Sequence, residues 1–190
     1  MPLKFVFIVG CFAIAGMTYF FCKSKKDWAW LTLGLLFTLG ADYFLVVRNL
    51  HIPGVAVFCF AHICYIMRAT AKPTIWSTPQ AIIILIKAAI AGIIFATIDG
   101  ALIILSGIYA ALFITNIVVN FKYQKINRPL VITGLILFSL CDINVALFNL
   151  PRHFELPFTF SWAFTLIWVF YLPSQLLLSV SAIAFPSAKE

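Results

Sequence analysis

The sequence predicts an all-α integral membrane protein, a single bundle of about seven transmembrane helices, and three observations carry that prediction. The 190 residues are 64% hydrophobic and 10% charged, with a mean hydropathy of +1.08, whereas soluble domains carry roughly 25% charged residues. Apolar runs of the length needed to cross a ~30 Å hydrocarbon core, about 20 residues each, recur at 3–22, 28–47, 52–70, 80–97, 101–120, 129–149 and 159–185. Short links join them, so residues 1–190 form one polytopic membrane domain with no room for a soluble one. Barrel strands would alternate in polarity over ~10 residues, and these runs are continuous.

The first run begins behind Lys4 and passes small residues in "AIAG" (13–16), as a secretory leader would. It continues through Phe20 and Phe21 to a "KSKKD" stop, so a retained helix is expected. The second run carries Asp42, and Pro53 and Gly54 open the third. "KPTIWSTPQ" (72–80) separates the third from the fourth, where Lys87 lies ~10 Å from one end and is expected to snorkel. Asp99 and Gly100 make the tight turn before the fifth run. The sixth carries Asp142. Pro173 lies inside the seventh and is expected to kink it, freeing a backbone carbonyl.

The positive charges sort by loop. Lys23, Lys25, Lys26, Arg68, Lys72, Lys122, Lys125, Arg128 and Lys189 fall after odd-numbered runs, and only Lys4, Arg48 and Arg152 fall on the other side. The positive-inside rule then puts the N-terminus outside and the C-terminus in the cytoplasm. The net charge of +7 is an orientation signal, and no nucleic-acid partner is expected. The five cysteines (11, 22, 59, 64 and 141) show no CxxC and no disulfide framework.

Within these apolar runs two carboxylates stand out. "LGLLFTLGADYFLVV" (33–47) holds Gly34 and Asp42, and "TGLILFSLCDINVAL" (133–147) repeats the arrangement with Gly134 and Asp142. The second and sixth runs point the same way, and each aspartate lies about fourteen residues in, or ~20 Å. Both carboxylates are therefore expected at one depth. A charged Asp in a helix centre costs about 2.5 to 3.5 kcal/mol on insertion scales, so such residues face a partner or a cavity and are functional candidates. If the two helices are neighbours, desolvation and mutual repulsion would keep one member protonated while the other ionises, an acid and base pair.

Other polar groups are few. His62, in "FCFAHICYI" (58–66), is expected ~15 Å from the outer face, near the carboxylates, with Tyr65 one turn further in. His51 and His153 fall in loops and no HExxH spacing occurs, so no metal is expected. Arg48, His51, Arg152 and His153 cluster beyond the outward ends of the second and sixth runs, with Asn49, Asn144 and Asn149 on the same side, where a phosphate would be received. Trp162, Trp168, Tyr171 and Gln175 mark the last run.

On these motifs the chain resembles the lysoplasmalogenase-like, YhhN-type membrane family. The matching stretches are "LGADYFL" around Asp42, "PGVAVFCFAHICYI" (53–66), "GLILFSLCDINVAL" (134–147) and "YLPSQLL" (171–177), and the likeness covers most of the chain. Ala41 stands where the family has glycine, Cys141 where it has serine, and Pro173 enters the last motif, departures that bear on substrate range. The resemblance implies hydrolysis of the vinyl ether bond of a lysophospholipid substrate, 1-alkenyl-glycerophosphoethanolamine or -choline, to a fatty aldehyde and the glycerophospho head group. It implies Asp42 and Asp142 as catalytic residues, with His62, Tyr65, Tyr171 and Gln175 around the substrate; Asn144, Arg48 and Arg152, from the outward polar cluster, are expected to bind it as well. No cofactor is needed, since protonating an enol ether and capturing the oxocarbenium with water is acid and base work. The rival expectations are a proton-coupled carrier or lipid transporter using the same carboxylates, and a structural subunit. A bacterial cytoplasmic membrane is the expected host.

Overall fold

The computed structural model describes residues 3–70, 100–153 and 155–184, with the backbone alone for 101, 103, 152 and 153. Helix α1 spans Leu3–Met17 and ends in a 3-10 turn, Thr18–Phe21; α2 spans Lys25–Asp42 and runs on as a π-helical turn, Tyr43–Val47. Then come α3 (His51–Ala69), α4 (Ala101–Tyr123), α5 (Arg128–His153) and α6 (Ser161–Val180). Six helices are long and apolar enough to cross a membrane, and no strand occurs among the described residues. The expected fourth run, 80–97, and Lys87 lie outside the described residues. Pro173 does not interrupt α6, which stays helical on both sides of it; Pro173 is exposed.

Polar contacts gather the helix ends. The Ser24 hydroxyl caps α2 by accepting from the Asp27 N–H, at 3.4 Å. The Arg68 guanidinium, at the end of α3, donates through Nε and Nη2 to the two Asp27 oxygens, each at 2.9 Å, and through Nη1 to Ser181 Oγ at 2.7 Å. Asn127 donates to the Ser181 and Ile183 carbonyls past the end of α6, and Trp28 Nε1 to the Ala15 carbonyl of α1 at 2.9 Å. The ends of α1, α3, α4 and α6 and the starts of α2 and α5 therefore meet on one side of the bundle. Arg68 thus lies within the bundle, 2% exposed, and not in the loop where its charge was counted. The carbonyl end of α6, a region of partial negative charge, receives both the guanidinium and the Asn127 amide.

From that shared end α2 and α5 run parallel and in matching register. Asp27 and Asn127 sit at the junction, and Asp42 and Asp142 each lie fifteen residues further on, about 22 Å along a helix. The buried face of α2 is Leu31, Gly34, Leu35, Thr38, Ala41 and Asp42; on α5 it is Val131, Gly134, Leu135, Phe138 and Cys141, at the same hundred-residue offset. The two glycines serve the same purpose. A Cβ on Gly34 would stand 2.8 Å from Tyr65 Cε1, and one on Gly134 would stand 3.0 Å from Leu178 Cγ, so each lets the following hairpin partner come close. Extensive packing of α2 on α3 and of α5 on α6 follows. No comparably extensive face joins α2 to α5; α6 reaches α2 directly.

Removing one partner of a buried ion pair leaves an uncompensated charge, at a cost of about 3–5 kcal/mol, whereas an apolar pair of similar volume is tolerated. Arg68→Ala is therefore expected to lower the thermal midpoint in detergent sharply. Arg68→Met with Asp27→Leu should regain most of the loss, and equal losses in both variants would show that the pair does not hold the helix ends.

Candidate active site

Each carboxylate is held by a tyrosine from a different helix. Tyr171 on α6 donates to Asp42 Oδ2 at 2.6 Å, and Tyr109 on α4 donates to Asp142 Oδ2 at 2.7 Å. In an apolar bundle an unsatisfied carboxylate oxygen has no solvent to turn to, so a tyrosine donor both stabilises and orients it. The aspartates share no direct hydrogen bond, and their helices share no extensive face, the neighbourhood on which the sequence-based acid and base pairing was conditional. Cys141 lies within electrostatic reach of both. Their surroundings differ: Asp42 is 4% exposed, while Asp142 is half-buried.

Asp42 also stands where α2 changes from α-helix to π-helix. A π turn widens the coil and realigns the side chains beyond it, and such turns concentrate at functional sites. Gly54 of α3 fits against this turn: a Cβ there would stand 2.5 Å from Leu45 Cγ and 3.4 Å from the Ala41 carbonyl. The "PG" pair that reads in sequence as a helix opener thus also admits α3 to the widened segment.

His62 lies between the two tyrosines' surroundings. Its ring stacks on Phe113 with centroids 4.6 Å apart and meets Tyr109 at 4.9 Å and Phe138 at 5.6 Å. Phe138 in turn meets Tyr171 at 5.5 Å. Tyr65 is within electrostatic reach of Asp42 and of Tyr171. Gln175, one turn beyond Tyr171, is wholly buried. Three buried polar atoms here find no hydrogen-bond partner: His62 Nε2 and both ends of the Gln175 amide. Polar atoms left in this state beside two carboxylates are what a site for a polar reactant requires.

Of the residues singled out from sequence, Asp42, Asp142, His62, Tyr65, Tyr171 and Gln175 fall in this layer. Asn144, two residues past Asp142, donates to the Leu140 carbonyl of its own helix, and its buried Oδ1 has no partner. Arg48 is exposed just past the π turn, and the Arg152 side chain lies outside what is described. Tyr109 and Asn116 were missed. Their signal was present, since Tyr109, Phe113, Asn116 and Asn120 recur at helical spacing along one face of the fifth run. A groove of about 340 Å³ opens at the α5–α6 link, lined by Phe148, Pro151, Leu156, Thr159, Phe160 and Ser161, beyond Asp142 on the Arg152 side. Among the described residues no three His, Cys, Asp or Glu side chains converge as a metal site.

The sequence model of the YhhN family matches residues 3–182. The chain belongs to the YhhN family. This is the family of lysoplasmalogenases, and the match takes in all six helices described above. No curated protein and no solved structure matches the chain. Four stretches carried the resemblance to the YhhN family in sequence, and they lie on α2, α3, α5 and α6. Those helices converge on the layer of carboxylates and tyrosines, whereas Tyr109, which completes it, comes from α4.

Because Asp42 is buried and Asp142 is half-buried, losing a tyrosine donor should not cost the two equally. Tyr171→Phe leaves a buried oxygen unsatisfied, about 1–3 kcal/mol, while the less enclosed Asp142 has room to relax after losing its donor. Thermal midpoints in detergent should therefore fall further for Tyr171→Phe than for Tyr109→Phe, and the reverse order would contradict the assigned environments.

Proposed function

We propose that this member of the YhhN family hydrolyses the vinyl ether bond of lysoplasmalogens, releasing a fatty aldehyde and the glycerophosphoethanolamine or glycerophosphocholine head group. The observation that carries the reading is a pair of carboxylates at matching register in an apolar bundle, each oriented through Oδ2 by a tyrosine.

The chemistry suits such a pair. Protonation of the β-carbon of the enol ether by a carboxylic acid leaves an oxocarbenium ion, stabilised by the fixed dipoles around it. Water adds to the carbon that bears oxygen while the second carboxylate takes the water's proton. The hemiacetal then collapses to aldehyde and the free glycerol hydroxyl. Asp142, the less enclosed of the two, takes the base role; Asp42, 4% exposed, takes the acid role. No step calls for a metal or an organic cofactor.

The alkenyl chain has an apolar interior to enter, and Arg48 and Arg152 stand at the helix ends nearer the aspartates, suited to the phosphate. The orientation that serves this arrangement has the N-terminus outside and the lysine-rich Arg68 end in the cytoplasm, following the positive-inside rule. A bacterial cytoplasmic membrane is the host that fits.

Purified protein in detergent, given 1-alkenyl lysophosphatidylethanolamine beside its 1-alkyl analogue, is expected to release aldehyde from the alkenyl lipid alone. Asp42→Asn and Asp142→Asn should each lower the rate about 100-fold or more, the contribution of a positioned acid or base, while both variants insert and elute as the parent does. Full activity in either variant removes that residue from the chemistry. A folded parent that releases no aldehyde but moves protons across vesicles would be a carrier.

A further inference from the structure

A chain of three side chains beside the carboxylates has a polarity that can be read off one oxygen at a time. Asn120 Nδ2 lies 2.9 Å from the Asn116 backbone carbonyl, which can only accept, so this end of the Asn120 amide is the donor. The same Nδ2 lies 2.6 Å from the Asn116 side-chain atom facing it, which must then be the acceptor Oδ1. The other end of the Asn116 amide, Nδ2, therefore faces His62 Nδ1, at 3.1 Å. An amide N–H donates there, so Nδ1 carries no hydrogen and the ring proton resides on Nε2. All three residues are at most 1% exposed, so no solvent exchange blurs the assignment. Turning either amide round would set donor against donor or oxygen against oxygen.

His62 Nε2 is one of the buried atoms with no partner, and its ring lies 4.9 Å from the Tyr109 ring that presents Asp142 with a donor. We propose that Asn120 and Asn116 hold His62 in the Nε2–H tautomer, making it a fixed hydrogen-bond donor to an acceptor oxygen at the reacting end of the lipid. This rests on the hydrolase reading and deepens it. The acceptor is either a glycerol or phosphate oxygen of the lysophospholipid or the oxygen of the attacking water; both are neutral-donor tasks for which a histidine with a mobile proton would be less suited. Asn116 and Asn120 touch no reactant on this account and are positioning residues.

The test is nitrogen NMR on protein labelled with 15N-histidine, in detergent. The chain has three histidines, and the His62 signals are those lost in His62→Gln. The wild-type spectrum should show Nε2 protonated and Nδ1 bare. Asn116→Asp, which offers only acceptors, should move the proton to Nδ1. Either a wild-type proton on Nδ1 or an unmoved proton in Asn116→Asp overturns the tautomer lock, and the wild-type spectrum decides even if the variant fails to fold. In the aldehyde assay His62→Phe should lose about tenfold, the worth of one hydrogen bond. His62→Gln, whose amide can donate from the same place, should recover most of it; equal loss in both overturns the donor role. A rise in KM assigns the acceptor to the lipid, a fall in kcat to the water. Wild-type protein with the expected tautomer and no aldehyde release overturns the hydrolase reading and the donor role with it, while leaving the tautomer itself established.

Discussion

One guanidinium sets the heights of three helices. Arg68 takes both oxygens of Asp27 and the hydroxyl and carbonyl of Ser181, so the start of α2 and the ends of α3 and α6 are brought to one level. The site follows from that level. Asp42 lies fifteen residues up α2, about 22 Å, and Tyr171 ten residues up α6, about 15 Å. Side chains tilt toward the N-terminus of their own helix, so the tyrosine leans up and the aspartate leans down until they meet. A slip of one turn at the junction would part them by ~5.4 Å. A buried ion pair is weak evidence for net stability, but fixing register is its best-attested use.

Within the membrane interior the same rule governs every polar group: it finds a partner inside the protein or stands unsatisfied at a cost. Thr38, Ser139 and Ser174 discharge it locally, donating to carbonyls of their own helices. Asp27, Arg68 and Asn127 discharge it between helix ends, where bundle geometry is set. Among the described residues a few buried atoms stand without a partner, and His62 Nε2 and the Gln175 amide are among them. His62 packs against Tyr109 and Gln175 lies one turn from Tyr171, the two tyrosines that hold the carboxylates, and this supports the site assignment.

Much of the bundle was legible in the sequence because membrane burial writes itself in composition: a 20-residue apolar run has few alternatives to a spanning helix. Six of the seven runs predicted from hydropathy correspond to the six described helices within a few residues at most ends, and α2 starts three residues early because the capping Ser24 lies outside the apolar stretch it introduces. The Gly34 and Asp42 echo of Gly134 and Asp142 was visible as nine positions; its extension to the whole buried face of both helices was not, since Leu, Ile and Val read alike on a lipid-facing and a protein-facing side. Arg68 was miscounted as a loop charge for a related reason. Adjacent to a polar link in sequence, it looks solvated, and only its distance to Asp27 shows that it turns inward.

Residue types, helix lengths and the equal spacing of two carboxylates from their helix starts were determined by the sequence alone, because they depend on local periodicity and on the cost of burying charge. Which donor meets which carboxylate was decided by the tertiary structure. Tyr171 is 129 residues from Asp42 and Tyr109 is 33 from Asp142, separations over which no periodicity operates. The π turn after Asp42 and the amide chain that orients His62 belong to the same class: each depends on how two helices approach, and in an apolar medium that approach is settled by packing around glycines and by a few polar contacts at the helix ends.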